Sequence, residues 1–228
     1  MDALIFDFDG VVIDSEPIHL ACFQRVMAEA GIVLSREDYY SKYLGYDDRD
    51  CFLAIARVHG ITLAPSRLAA MIAAKTKLVQ RELSRSVQPL PGAVELIRSA
   101  RAAGVPVAVC SGALRKEIEL ASAALGVLEC FTVIVSAEDV SAGKPDPQGF
   151  HLAVERLSTA RGSAVAPACC VVVEDSPAGI QAAQAAGMKV LAVANSYPPA
   201  QLQAAQRVVG SLAEVTVASL EGLLLPWP

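Results

Sequence analysis

Long hydrophobic runs are missing from this sequence. No stretch reaches the ~18 apolar residues that a membrane-spanning helix requires, so no membrane partner is expected. No secretory leader is expected either: Met1 leads directly into an apolar run, with neither a basic region nor a cleavage pattern. Positive charge is in deficit. The formal net charge of -5 argues against nucleic acid as a partner. Histidine is scarce, with only His19, His59 and His151 to activate a thiol nucleophile. The six cysteines, at positions 22, 51, 110, 130, 169 and 170, form no C-x-x-C pair and no zinc spacing. Cys110, Cys169 and Cys170 fall inside apolar runs, where a thiol serves as a small hydrophobe. These absences describe a soluble protein with reduced cysteines, and a cytoplasmic location is expected. There is no internal repeat and no low-complexity segment.

What the chain does have is short apolar runs in quantity. Hydrophobic residues make up 54% of the 228, enough for a sizeable core. Runs rich in Val or Ile occur at Ala3–Phe6, Val105–Cys110, Phe131–Val135, Cys169–Val173 and Val190–Val193. Each is too short for a helix and reads as a strand buried on both faces. Between them lie helical patterns. Ala93–Ala103 and Leu114–Leu125 are followed by Gly104 and Gly126 as C-terminal caps. Pro147–Leu157 and Pro177–Ala186 have proline in the first turn. Strands alternating with helices predict an α/β fold, a doubly wound parallel sheet with a Rossmann-like core. The exception is the segment after the first strand, which keeps helical periodicity and contains no strand pattern. It reads as a small α-helical cap over residues 16–85, inserted into a catalytic core of residues 1–15 and 86–228. Ser15 is the expected cap of its first helix, and Pro89 and Pro91 stiffen the return.

Chemistry is expected outside the carboxyl ends of the strands of such a sheet. The first strand runs into Asp7-Phe8-Asp9-Gly10, the second into Ser111-Gly112, and the fourth into Glu174-Asp175. Lys144 follows the third, in "AGKPDP". Each alone has an ordinary reading as a turn or cap residue. Together they gather carboxylates, a hydroxyl and a lysine on one edge. Carboxylates at the end of a buried strand demand a cation or a full set of hydrogen bonds.

"DFDGVVIDSE", "SGALR", "GKPDP" and "EDSPAGI", in this order, resemble the four motifs of the haloacid dehalogenase-like hydrolase superfamily. The resemblance is to the branch with a helical cap after the first motif, and it spans Ala3 to about Val193. It implies that Asp7 is a nucleophile giving an aspartyl-phosphate intermediate. It implies that Asp9 is the general acid for the leaving alcohol and then the base for water. Lys144 and Mg²⁺ would offset the charge. The ion would be held by the Asp7 carboxylate, the Asp9 backbone carbonyl and Asp175, with Glu174 either ligating directly or holding a bound water. Ser111, with Gly112 beside it, would bind a phosphoryl oxygen. The implied substrate is a small phosphorylated metabolite such as a sugar phosphate.

Within that superfamily, dehalogenation needs neither Asp9 nor Asp175, which leaves phosphoryl transfer. The alternatives are a phosphatase, a β-phosphoglucomutase-like mutase, and a catalytically silent binding protein. The last would more readily have lost a carboxylate. For a mutase, the cap segment "KYLGYDDRDCF" has Leu44 before Gly45 where that pattern has lysine, and Arg49 stands one place late. His19 and Lys75 do fall where the mutase has a hinge histidine and a cap lysine; the plain alternatives are a packing histidine and a solvated lysine. The phosphatase is the better reading. Among Tyr39, Tyr40, Tyr43 and Tyr46, helical spacing assigns most to core packing and leaves Tyr46 to touch substrate. Asp47 or Asp48 is expected to cap the next helix, Arg49 to meet an anionic substrate or those acids, and Asp14 to have a structural role. The apolar tail "GLLLPWP", with Trp227, leaves the oligomeric state open.

Overall fold

The computed structural model describes residues 1–44 and 46–225; Gly45 and Trp227, both singled out above, lie outside the described residues. The chain divides into two compact units, Met1–Ser15 with Val87–Pro228, and Glu16–Ser86.

The first unit is built on six parallel strands: β1 (Ala3–Phe6), β2 (Val107–Cys110), β3 (Phe131–Val135), β4 (Cys170–Glu174), β5 (Lys189–Val193) and β6 (Arg207–Val209). Their order is β3-β2-β1-β4-β5-β6. The helices, in chain order, are α1 (Glu16–Ala28), α2 (Arg36–Asp38), α3 (Asp48–Val58), α4 (Pro65–Leu83), α5 (Ala93–Ala102), α6 (Arg115–Ala124), α7 (Gln148–Arg161), α8 (Pro177–Ala185) and α9 (Val217–Glu221). Every residue of β1, β2 and β4 is buried, as central parallel strands covered on both faces require. Ala3, Ile5, Ala108, Val172 and Val190 pack with Phe150, Ala153 and Leu157 of α7 and with Ile180 and Ala183 of α8.

Several boundaries differ from the sequence expectation for identifiable reasons. β2 starts at Val107 rather than Val105, because Pro106 has no N–H; its carbonyl still accepts from Leu4 N at 3.0 Å. β4 starts at Cys170. Cys169 closes a 3-10 turn (Pro167–Cys169) and is exposed, so it is not the buried hydrophobe expected. β6 was not foreseen, since three residues are too few to show a pattern. Gly104 and Gly126 do end α5 and α6, with φ of 76° and 65°. The N–H of each bonds back three residues, to Arg101 O and Ala123 O, while Val105 and Val127 reach five residues back, to Ala100 O and Ser122 O.

β3 is an edge strand, and its Ile134 carbonyl accepts from the guanidinium groups of both Arg115 (2.9 Å) and Arg156 (3.1 Å). Asp139 holds the two arginines, each at 2.8 Å, and also accepts from Ser136 N and Oγ. Burial alone would raise the pKa of Asp139. The hydrogen bonds from Arg156, Ser136 and Arg115 outweigh it and hold the carboxyl well below the usual range.

The second unit is helical, with its own core of Phe23, Met27, Tyr39, Phe52, Ile55 and Met71. Phe23 meets Phe52 edge to face at 4.9 Å. Asp47 caps α3, accepting from Asp50 N at 2.7 Å, and Ser35 caps α2. Ser15 is not the expected cap of α1: it is buried and its hydroxyl has no hydrogen-bond partner among the described residues. Tyr39 and Tyr43 are buried on one π-helical turn (Tyr39–Tyr43), and Tyr39 donates to Glu16 at 2.8 Å. No helix among the described residues is long and apolar enough to cross a membrane.

Candidate active site

β1 and β4 are neighbours at the centre of the sheet, where the strand order reverses direction, and ligand crevices form at that point. Asp7 follows the end of β1; Glu174 ends β4 and Asp175 follows it. The three acids are buried, and each presents an oxygen within 4.8 Å of the others.

Lys144 ties the group together. Its Nζ donates to Asp7 Oδ1 at 2.8 Å and to Glu174 Oε1 at 2.6 Å, and lies 5.3 Å from the centre of the Phe150 ring. Burial alone would lower its pKa, but Asp7 and Glu174 outweigh that and keep the ammonium charged well above its ordinary range. Glu174 has no exposure at all. Its other oxygen accepts from Asp175 N, Ser176 N and Ser176 Oγ, each at 2.9 Å. Both of its oxygens are therefore occupied by donors, which makes it the anchor of Lys144. Gly179 leaves the room this needs: a Cβ there would sit 1.7 Å from Glu174 Oε1.

With all three carboxylates ionised, one ammonium would leave an excess of two negative charges in a buried cluster. Burial, only partly offset by Lys144 and reinforced by Glu174, pushes Asp7 up to about 7. Burial, then Asp7 and Glu174, pushes Asp175 up to about 8. Such a set suits a divalent cation, whose charge equals the deficit and whose oxygen preference matches the donors. Asp7 Oδ2 and Asp175 Oδ1 are the oxygens without a partner among the described residues.

Asp9 lies two residues past Asp7, partly exposed, and bridges Ile13 in the loop leaving β1. In that loop Gly10 has φ of 77°. Its backbone comes so close to Asp175 that a Cβ would lie 2.0 Å from Oδ2. Ser111, at the end of β2, is buried; its Oγ accepts from Ala113 N at 3.1 Å, which leaves the O–H to donate elsewhere. Gly112 beside it is exposed, with open space where a side chain would be. Cys110 is no rival nucleophile, because burial pushes its thiol up to about 12. Sequence reasoning missed Ser196, which follows β5 and donates to Asp175 Oδ2. Its one signal was position, on another carboxyl end of the sheet.

Of the other predicted residues, His19, Tyr46, Arg49 and Lys75 belong to the helical unit. Lys75 is not solvated. It is 2% exposed, ion-paired with Asp48, bonded to His19 Nδ1 at 2.8 Å, and 4.2 Å from the centre of the Phe23 ring. Burial, followed by the charge of Lys75, lowers the His19 pKa to about 3, so the imidazole is neutral. Tyr46 is 52% exposed. Arg49 is exposed and lies 3.5 Å from Asp50. Asp14 is exposed, and its N–H bonds to Gln88 O at 3.3 Å, which joins the two chain segments of the first unit.

The parallel sheet with acids and a lysine at its central carboxyl ends is that of a haloacid dehalogenase-like hydrolase. The model of that family matches residues 1–187, and the chain belongs to it. Among curated relatives, the chain is 34% identical over 190 residues to the Escherichia coli fructose-1-phosphate phosphatase YqaB, covering 83% of this chain and 95% of that one. It is 42% identical over 131 residues to the Arabidopsis thaliana bifunctional riboflavin kinase/FMN phosphatase, covering 57% of this chain but only 33% of that protein. Among solved structures, CbbY from Rhodobacter sphaeroides in complex with phosphate superposes with a TM-score of 0.85 at 27% identity, over 97% of this chain and 99% of that one.

Proposed function

We propose that the protein is a Mg²⁺-dependent phosphatase that hydrolyses a small phosphorylated metabolite, a sugar phosphate in the first instance, through an aspartyl-phosphate on Asp7. The observation that carries this is the buried cluster at the β1/β4 edge, where Lys144 bridges Asp7 and Glu174 and three carboxylates outnumber the single ammonium. Relatives named as a sugar-phosphate phosphatase and as an FMN phosphatase support it.

The Asp7 carboxylate is the nucleophile, with Lys144 bound to its Oδ1. Lys144 fixes the carboxylate's orientation and reduces its repulsion with an incoming phosphate. The hydroxyl of Ser111 donates to a phosphoryl oxygen. Asp9 gives its proton to the departing alkoxide, and the resulting carboxylate then takes a proton from the water that attacks the phosphoryl group on Asp7. Such proton transfer contributes roughly 10²–10⁴-fold. Asp7 and Asp175 would hold the Mg²⁺, with the Asp9 carbonyl as a third protein ligand and Glu174 acting through Lys144. When bound, the ion supplies the two positive charges that a carboxylate attacking an anion requires.

In the helical unit we assign Tyr46 and Arg49 to substrate contact, since both are exposed. His19 and Lys75 serve instead as an internal strut, because Asp48, His19 and the Phe23 ring already engage the lysine. As buried, mutually bonded groups they lend no separate support to the mutase reading. The test follows inorganic phosphate and product isomers together on a panel of sugar and other organic phosphates. Phosphate release that stops with EDTA and in Asp7→Asn is expected. Isomerisation without phosphate release would instead establish the mutase.

A further inference from the structure

We infer that Ser196 is a positioning residue for Asp175, fixing one carboxylate oxygen so that the other is presented to the cation; this rests on the metal site proposed above. Ser196 comes from a different strand than the acid it holds. β5 pairs with β4 in register Glu174 with Ala192. Beyond β5 the chain turns, with Asn195 N bonding to Val193 O at 2.9 Å and Ala194 N to Val209 O at 2.9 Å. That turn brings the Ser196 hydroxyl onto Asp175 Oδ2.

The contact is built from two sides. The Gly10 backbone packs against the same pair: a Cβ there would lie 2.0 Å from Asp175 Oδ2 and 2.7 Å from Ser196 Oγ. Glycine in the loop after β1 thus lets three strand ends converge on one carboxylate. The lysine does not serve this acid, since its hydrogen bonds go to Asp7 and Glu174. Ser196 is the side-chain donor to Asp175 among the described residues. A hydroxyl is a suitable choice there. It orients the carboxylate without adding a charge that would compete with the ion, and outer-shell donors of this kind commonly change metal affinity by about 10–100-fold.

The experiment measures Mn²⁺ binding to the substrate-free protein by calorimetry and electron paramagnetic resonance. It compares wild type, Ser196→Ala, Ser196→Thr and Asp175→Asn. Ser196→Ala is expected to weaken Mn²⁺ about 10–100-fold, with the apo-protein melting as wild type does, while Ser196→Thr restores most of the affinity. In turnover, the Mg²⁺ concentration for half-maximal rate should rise by a similar factor, with the rate at saturating Mg²⁺ little changed. Wild-type affinity in Ser196→Ala, or a loss that threonine does not repair, overturns the role of the serine while leaving the site intact. If Asp175→Asn binds Mn²⁺ as tightly as wild type, the metal site itself has been misassigned and the inference falls with it.

Discussion

Replacing Gly179 by alanine sets two effects against each other whose sizes differ enough to decide the outcome. Alanine is favoured over glycine in a helix by at most about 1 kcal/mol, so on propensity alone the variant would gain stability. Gly179 is in the first turn of α8, beneath the Glu174 carboxylate. The new Cβ would fall 1.7 Å from Oε1, 1.9 Å from Cδ and 2.4 Å from Oε2, so the acid has to move. It holds one lysine bond and three further hydrogen bonds. Losing one charge-assisted bond costs about 1.5–3 kcal/mol, and overpacking a filled interior adds about 1–3 kcal/mol. The net expectation is a loss of roughly 1.5–5 kcal/mol once the helix gain is subtracted. Urea unfolding at neutral pH reads this directly. Lys144 would move with its anchor, and a displacement of about 1 Å is worth around a hundredfold in turnover. Gly222→Ala is the control, because nothing lies within 4 Å of its added Cβ, and its stability should stay within about 0.5 kcal/mol of wild type. A Gly179→Ala variant as stable and as active as wild type would refute the account of Glu174 as a fixed anchor.

Two further expectations concern acid. His19 has its pKa held at about 3 by burial and then by Lys75, against an ordinary 6.5. Between those values the unfolded chain takes up a proton that the folded chain refuses. The contribution is therefore full above the unfolded value and declines as pH falls toward the folded one, by up to about 1.4 kcal/mol per pH unit. His19→Gln should flatten the stability profile between neutral pH and mild acid in urea melts, and equal slopes in both proteins would contradict this. Asp139 has a depressed folded pKa, so its contribution is present above its ordinary pKa of 3.8 and is lost as pH falls below it. Asp139→Asn should cost about 1–2 kcal/mol at neutral pH and less in high salt, because both arginines are more than a third exposed. No change in melting would show that the arginines hold their places without it.

The sheet and the first ring of acids were legible because both are written locally. A buried parallel strand is a short apolar run, and Asp7, Ser111 and Glu174 stand where such runs stop. What was not legible depends on where distant segments meet. Lys144 could be assigned to the site, but not its grip on Glu174, 30 residues away. Ser196 has no motif; it is visible only once β5 lies beside β4. Lys75 was expected either to meet substrate or to be solvated, because nothing nearby in sequence announces Asp48 and His19 on other helices. Ser15 has the residue type of a cap, yet its hydroxyl makes no bond among the described residues. Hydrogen-bonding capacity is a property of composition, and its use is a property of the fold.

The two margins of the sheet are finished differently. At one, β6 stops after three residues, too short a ladder to template anything. At the other, β3 runs for five, long enough for an unfolded neighbour to align on. The carbonyl such a neighbour would need there, on Ile134, is already taken by two guanidinium groups locked in place by one aspartate. An approaching strand would have to displace a pair of charges to reach that carbonyl. The same three side chains that fasten α6 and α7 to the sheet thus work as a guard rail against edge-on aggregation.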